Sequence, residues 1–435
     1  MSSGLRNVVV AQSGGPSPVI NNSLRGIVEA CQGYPSVFGR VFGAWHGIEG
    51  VLREELIDLS SQPTEEIALL RNTPGAGAIG TCRYKMKPEW TEDFERAVEV
   101  FRAHNVGYFF YIGGNDSMDT AQKVAALARS RGLELAATGV PKTIDNDVGD
   151  SEFKLVDHTP GYGSVARYWM SIVQQADEEN RGSSPSDPVL VLQAMGRRVG
   201  FIAASARLAD PQREMPLQIY LAESQLGLED LADRVNEQVS RSGRAVVVVN
   251  EGMNLGNIGE SKDAFGHTQF SSSRITVAQI VANYLNEGRL KAAGSARCQV
   301  PGTDQRTSMV FASTVDLDEA YAVGQKAVEI AVKDGEGYMA TLLRAPGPFY
   351  TVLYDKVPLE SVANSERKFP MDWISPDKVD VTDAFIRYAK PLIGEDWPSV
   401  PLVDGRQRFA RLKRLFVEKK LNDYLPVGYR PKEGI

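Results

Sequence analysis

Short, continuous runs of apolar residues alternate along the chain with longer segments of amphipathic spacing. Leu5 to Ala11 reads as a buried strand and Gln12 to Pro16 as a polar, glycine-rich turn. Val19, Ile20, Leu24 and Ile27 then follow at helical spacing. The design recurs: Val106 to Ile112 is a strand, Gly113-Gly114-Asn115-Asp116-Ser117 a turn, and a helix runs on through about Arg129. Leu133 to Val140 is a third strand, ending in Pro141-Lys142-Thr143-Ile144-Asp145-Asn146-Asp147. Val189 to Ala194 and Ala245 to Asn250 end in Met195-Gly196-Arg197 and Glu251-Gly252. Strands that are apolar at every position and separated by helices belong to parallel sheets covered on both faces. The pattern predicts an α/β fold of doubly wound parallel sheets. In such folds ligands gather at the carboxyl ends of the strands, and every polar motif named above lies at such an end.

A length of 435 residues exceeds one typical core and predicts two domains with elaborations. Two polar stretches, Gly149 to Leu155 and the Ser/Pro-rich Glu179 to Asp187, are the candidate boundaries. Beyond residue 350 the chain is richer in Pro, Trp and charge. There the basic run Arg406 to Lys420 carries Phe409, Leu412, Leu415 and Phe416 at helical spacing. A solvated amphipathic face is the better reading of it than a nucleic-acid helix. With 43% hydrophobic and 24% charged residues, wholesale disorder is excluded. A net charge of -7 argues against a broad footprint for nucleic acid or an anionic membrane, and leaves room for a local basic pocket. No apolar run is long enough to span a bilayer, and the first residues lack the pattern of a signal peptide. Cys31, Cys82 and Cys298 are odd in number and widely spaced, which predicts free thiols in a reducing cytoplasm.

The turns carry the candidate chemistry. Gly14-Gly15 opens a helix, where bare backbone N–H groups and the helix N-terminus suit a phosphate; a tight turn explains the pair equally well. Gly114 with Asn115, Asp116 and Ser117 is either a second such site or a helix cap. Lys142, Thr143, Asp145 and Asp147 in one turn are more specific. Phosphoryl transfer needs a base near the attacking hydroxyl, charge neutralisation and positioning, and a lysine beside two carboxylates supplies them. The alternative is a polar turn held by its own side chains. Arg197, Arg297 and Arg306 suit anionic oxygens and Glu251 suits sugar hydroxyls, although each alone reads as a surface ion pair. A nicotinamide-binding reading fails, because no Gly-x-Gly-x-x-Gly turn follows the first strand.

Taken in order, these motifs resemble the phosphofructokinase family over roughly residues 7 to 330. Ser13-Gly14-Gly15, Gly80-Thr81-Cys82-Arg83, the Thr143–Asp147 string, Met195-Gly196-Arg197, Glu251-Gly252 and Gln305-Arg306 carry the resemblance. It implies two doubly wound, parallel-sheet, Rossmann-like lobes with the active site between them, plus a C-terminal elaboration. Residues 1–157 with about 305–350 would form the phosphoryl-donor lobe, 158–304 the sugar-binding lobe, and 351–435 the extension. Asp145 would be the general base toward the sugar's 1-hydroxyl, with Thr143 and Asp147 flanking the moving phosphoryl group. Met195, Gly196, Arg197 and Glu251 would hold the sugar. Arg297 and Arg306 would contact its 6-phosphate, one of them across a subunit interface of a homodimer or homotetramer. Gly14, Gly15, Arg83, Gly114, Asn115, Asp116, Ser117 and Lys142 would line the donor phosphates.

ATP-using members carry Gly where this chain has Asp116 and Lys142. A carboxylate there repels the α-phosphate of ATP, and a lysine suits a short donor. The resemblance therefore implies pyrophosphate as donor and fructose 6-phosphate as acceptor, in a reversible, Mg²⁺-dependent glycolytic reaction. Asn115 stands where most members have a metal-binding Asp; its amide can still orient a metal-bound water, and Asp116 adds charge. Pro188, Gln193, Thr303 and Asp304 depart from the family on the acceptor side. They keep open another acceptor, such as sedoheptulose 7-phosphate or an unphosphorylated sugar or polyol. Asn115 keeps open a non-catalytic regulatory paralogue.

Overall fold

The structure is a computed structural model and describes residues 4–255, 261–262, 268–269, 275–363 and 365–431. Two parallel-stranded sheets organise it. The first has seven strands, in the order Val352–Pro358, Tyr338–Arg344, Ala136–Pro141, Val106–Gly113, Arg6–Gln12, Phe38–Ala44 and Leu56–Asp58. Its five inner strands are parallel and its two edge strands antiparallel. The second has four parallel strands, in the order Ala296–Gln299, Val189–Ala194, Ala245–Asn250 and Leu217–Tyr220. Val8, Val9, Val10 and Ala11 are fully buried, as are Val247, Val248 and Val249. Burial on both faces is why these segments read as unbroken apolar runs.

The helices Ile20–Gln32 and Asn115–Ser130 start at turns that the motifs occupy, and Tyr162–Ser183 follows the longer loop after Asp147. The strand predicted from Leu133 begins at Ala136 instead. Gly132 takes a left-handed φ of 68°, and Leu133 N–H bonds back to Ala128 O, so residues 132–135 close the preceding helix rather than extend the strand.

Residues beyond 350 are woven into both lobes. Val352–Pro358, which lies in the expected extension, is an edge strand of the first sheet. Phe369, Phe385, Tyr388 and Leu392 belong to the core beside the second sheet. The basic run Arg406 to Lys420 is not the helix its spacing suggested. It is an extended strap: Asp58 N–H bonds Leu415 O, Val417 N–H bonds Leu56 O, and Gln62 receives Lys413 N–H. Those partners satisfy the backbone from outside, so helical spacing is overridden by tertiary hydrogen bonding. Among the described residues no helix is long and apolar enough to cross a membrane.

Candidate active site

The turns that follow Arg6–Gln12, Val106–Gly113 and Ala136–Pro141 face those that follow Val189–Ala194 and Ala245–Asn250 across a cleft of about 730 Å³. Gly14, Gly15, Arg83, Gly114, Asn115, Asp116, Ser117, Lys142, Thr143, Asp145 and Asp147 line it from the first lobe. Met195, Arg197 and Glu251 line it from the second, and Arg306 closes one side.

Lys142 is buried. Its Nζ donates to Gly15 O at 2.7 Å and its backbone N–H to Gly113 O at 3.0 Å, so one residue ties together all three first-lobe turns. Burial, together with Arg83, Arg197 and Arg306, pushes its pKa down to about 7, against the pull of Asp145. Gly15 leaves room for two more cations. A Cβ there would stand 2.5 Å from Arg306 Nη1 and 3.4 Å from Arg83 Nη2. Burial and Arg83 lower the Arg306 pKa in turn. Three basic side chains gather at one corner, with Asp145 acting on both Lys142 and Arg306, and the arrangement suits an anion. Arg306, expected at the sugar's 6-phosphate, thus stands beside Arg83 at the Gly15 turn and also within electrostatic reach of Asp145, Glu251 and Arg197.

In the turn after Ala136–Pro141, Asp145 N–H donates to Thr143 Oγ1 at 3.1 Å. Arg197 Nε approaches Asp145 Oδ2 at 3.6 Å across the cleft. Asp147 has its pKa raised by burial and by the neighbouring Asp145 charge. Glu251 is buried and accepts from Gly196 N–H at 3.2 Å and Arg197 N–H at 2.9 Å through Oε1. Burial pushes its pKa up to about 7, with those two N–H groups and Arg197 opposing and Asp145 adding to the rise. Gly252 makes this packing possible, because a Cβ there would sit 1.7 Å from Arg197 O. Glu251 Oε2, Asn115 Oδ1 and Arg306 Nε are buried and have no hydrogen-bond partner among the described residues. Two acceptors and one donor, left unmatched around one cleft, suit a polyhydroxylated, anionic ligand.

The phosphofructokinase family model matches residues 7–331. The chain belongs to the phosphofructokinase family. A pyrophosphate–fructose 6-phosphate 1-phosphotransferase of Halomonas elongata is 39% identical over 429 residues, 96% of this chain and 99% of its own. A solved pyrophosphate-dependent phosphofructokinase of Nitrosospira multiformis is 38% identical with a TM-score of 0.86, covering 97% of this chain and all of its own. One of Marinobacter aquaeolei is 36% identical with the same TM-score and coverage.

Against the family pattern, Arg297 is the candidate that the fold leaves outside its own cleft. It is exposed on Ala296–Gln299 and pairs with Asp187 at 2.8 Å. Gly196 contributes its backbone N–H to Glu251 rather than a cleft wall. Of the four departures on the acceptor side, Thr303 alone lines the cleft. Gln193 is buried and its Oε1 accepts Ala278 N–H at 3.0 Å, capping the helix Val277–Tyr284. Pro188 precedes a strand, its carbonyl accepting Ala245 N–H, and Asp304 is exposed on a short 3₁₀ turn. Sequence reasoning missed Lys85, whose Nζ meets Asp116 Oδ1 at 2.6 Å, although it stands two residues after Arg83. It also missed Glu366, which lines the cleft from the C-terminal region and has no motif around it. His158, between Asp157 at 2.8 Å and Glu319 at 2.6 Å, is buried and does not line the cleft.

Proposed function

We propose that this chain is a pyrophosphate-dependent phosphofructokinase. It transfers a phosphoryl group from pyrophosphate to the 1-hydroxyl of fructose 6-phosphate, giving fructose 1,6-bisphosphate and phosphate, and runs in both directions. The carrying observation is the donor corner: buried Lys142 with Arg83 and Arg306 around Gly15, and the carboxylate of Asp116 at the start of Asn115–Ser130. The near-full-length relatives of that name support it.

Asp145 takes the proton of the 1-hydroxyl, and the freed oxygen attacks the terminal phosphorus as the bridging P–O bond breaks. Lys142, Arg83 and Arg306 meet the charge that builds on the leaving phosphate. Arg197 stands beside Asp145 and steadies the transferring group, with Thr143 and Asp147 on either side of it. Glu251 Oε2, unmatched among the described residues, accepts a sugar hydroxyl, Met195 shapes the sugar's seat, and Gly196 N–H holds the Glu251 carboxylate toward it. Mg²⁺ belongs to this proposal and would neutralise the pyrophosphate oxygens. The unmatched Asn115 Oδ1 and the Asp116 carboxylate fit an ion that keeps several waters and takes few protein ligands. A homodimer or homotetramer is also part of the reading: Arg297, exposed and away from its own cleft, would reach the sugar phosphate of a partner subunit. The three cysteines are free thiols, which supports a reducing cytoplasm.

The test is turnover with pyrophosphate and with ATP at equal Mg²⁺, over a panel of fructose 6-phosphate, sedoheptulose 7-phosphate and unphosphorylated sugars. Preference for ATP sinks the donor assignment, and preference for another sugar sinks the acceptor.

A further inference from the structure

Asn146 separates the two aspartates of the catalytic turn and points the other way. It is fully buried and holds a left-handed backbone, with φ of 59°. A non-glycine residue in that region persists only when its surroundings over-determine it. Here three groups do so. Asn146 Nδ2 donates to Tyr388 Oη at 2.8 Å, and its Oδ1 accepts from Thr159 N–H at 3.1 Å and from Arg367 Nη1 at 3.2 Å.

Arg367 is the centre of the arrangement. It is fully buried, yet among the described residues no carboxylate hydrogen-bonds its guanidinium. Nε donates to Asp150 O at 3.0 Å, Nη1 also to Asp157 O at 2.9 Å, and Nη2 to Val156 O. Its backbone N–H donates to Asp147 O at 2.9 Å, and the cation lies 4.4 Å from the Phe153 ring centroid. Tyr388 repeats the theme, its hydroxyl donating to Asp157 O at 2.9 Å. Burying a cation is costly, so its position demands a return. The acceptors it gathers come from both ends of the loop that carries Asp145 and Asp147.

We propose that Arg367 is a positioning residue for phosphoryl transfer: acting through Asn146 and the loop carbonyls, it fixes the turn that presents Asp145 and Asp147 to the cleft, with Tyr388 as its partner. The residues beyond 350 are therefore part of the catalytic apparatus. The proposal rests on the phosphotransferase reading of those two aspartates.

The test uses Arg367→Met, Arg367→Lys and Tyr388→Phe in the full chain, with steady-state kinetics and thermal unfolding. A displaced reacting group costs up to about 100-fold in rate, so Arg367→Met lowers kcat by about 30- to 100-fold while KM for pyrophosphate moves less than about threefold. Arg367→Lys, which keeps a cationic donor, recovers at least about a third of that loss on a logarithmic scale. Tyr388→Phe deletes one hydroxyl beneath an intact ring and lowers kcat by about three- to tenfold. Should Arg367→Met fail to fold, the other two decide. Wild-type kcat in both folded variants overturns the proposal, and so does a rise in KM without a fall in kcat. All variants are compared on the donor and acceptor that the wild-type chain turns over best. A wrong substrate then appears in the wild-type rate, and a wrong positioning role in the variant ratio.

Discussion

Replacing Lys142 by methionine or by arginine separates the charge at the donor corner from the bulk that fills it. The ammonium sits 2.7 Å from Gly15 O, and burial with Arg83, Arg197 and Arg306 brings its pKa from 10.5 to about 7. A fall of that size corresponds to roughly 5 kcal/mol of desolvation and repulsion, at about 1.36 kcal/mol per pKa unit. A polyanionic donor removes both. The sign follows: a lysine with a depressed pKa is mostly neutral above about pH 7 and regains its proton when the anion binds. At pH 8 about one-tenth of the free protein carries the charge, so donor binding takes up about 0.9 proton. Pyrophosphate affinity then falls by about tenfold per pH unit above 7, until the pKa of the complex is reached. Calorimetric titration at pH 8 in two buffers of different ionisation enthalpy measures the uptake. The difference between wild type and Lys142→Met isolates the lysine, because the donor's own protonation cancels. Lys142→Met should lose about 100- to 1000-fold in kcat/KM for pyrophosphate. Lys142→Arg, permanently charged, should show no excess uptake and no basic limb. Equal uptake in wild type and Lys142→Met would refute the reasoning.

Asp116→Gly removes the carboxylate that pairs with Lys85, and should raise kcat/KM for ATP at least about tenfold while lowering that for pyrophosphate; unchanged donor preference counts against the assignment. Gly252→Ala puts a Cβ 1.7 Å from Arg197 O, so the Arg197 loop must move. KM for the sugar phosphate should rise about tenfold, with about 1–3 kcal/mol lost in stability by denaturant titration. For His158, burial opposes protonation, but Glu319 and Asp157 overcome it and raise the pKa from 6.5 to about 9. A raised histidine pKa gives stability that is whole below about pH 6.5 and is lost as pH rises through about 9. The loss amounts to roughly 3 kcal/mol. Denaturant titrations between pH 6.5 and 9.5 should show that decline in wild type and a flatter profile in His158→Gln.

The strands that build the cleft were legible because parallel strands buried on both faces leave an unmistakable apolar run; Val189–Ala194 and Ala245–Asn250 match their expected bounds. Val352–Pro358 was not legible. It is an antiparallel edge strand whose burial alternates, and its pattern merges with the polar sequence around it. The catalytic turn was readable as a cluster of residue types, while the inward direction of Asn146 was not, since backbone φ is not written in composition. Arg406 to Lys420 misled for a related reason. Helical spacing is a local signal, and that segment takes its hydrogen bonds from Asp58, Leu56 and Gln62, distant in sequence. Arg367, Tyr388 and Glu366 lie in a region without motifs, and nothing local marks them as neighbours of Asp145.

The two halves of the cleft therefore differ in how their specificity is written. The donor half is defined by residues of one chain in direct contact: Lys142 on Gly15, Arg83 and Arg306 beside it, Lys85 on Asp116. A substitution there acts on the phosphates themselves. The proposed acceptor half has Glu251 and Arg197 in the cleft, Arg306 stands within electrostatic reach of both, and Arg297 lies outside. Gln193 and Pro188 depart from the family for reasons of local architecture, one capping a helix and the other preceding a strand. Neither lines the chain's own cleft. Of the four departures, Thr303 is the one placed to meet a ligand in the cleft. The donor assignment accordingly rests on residues of one chain, whereas the proposed reach of Arg297 to a sugar phosphate would rest on a second copy of it.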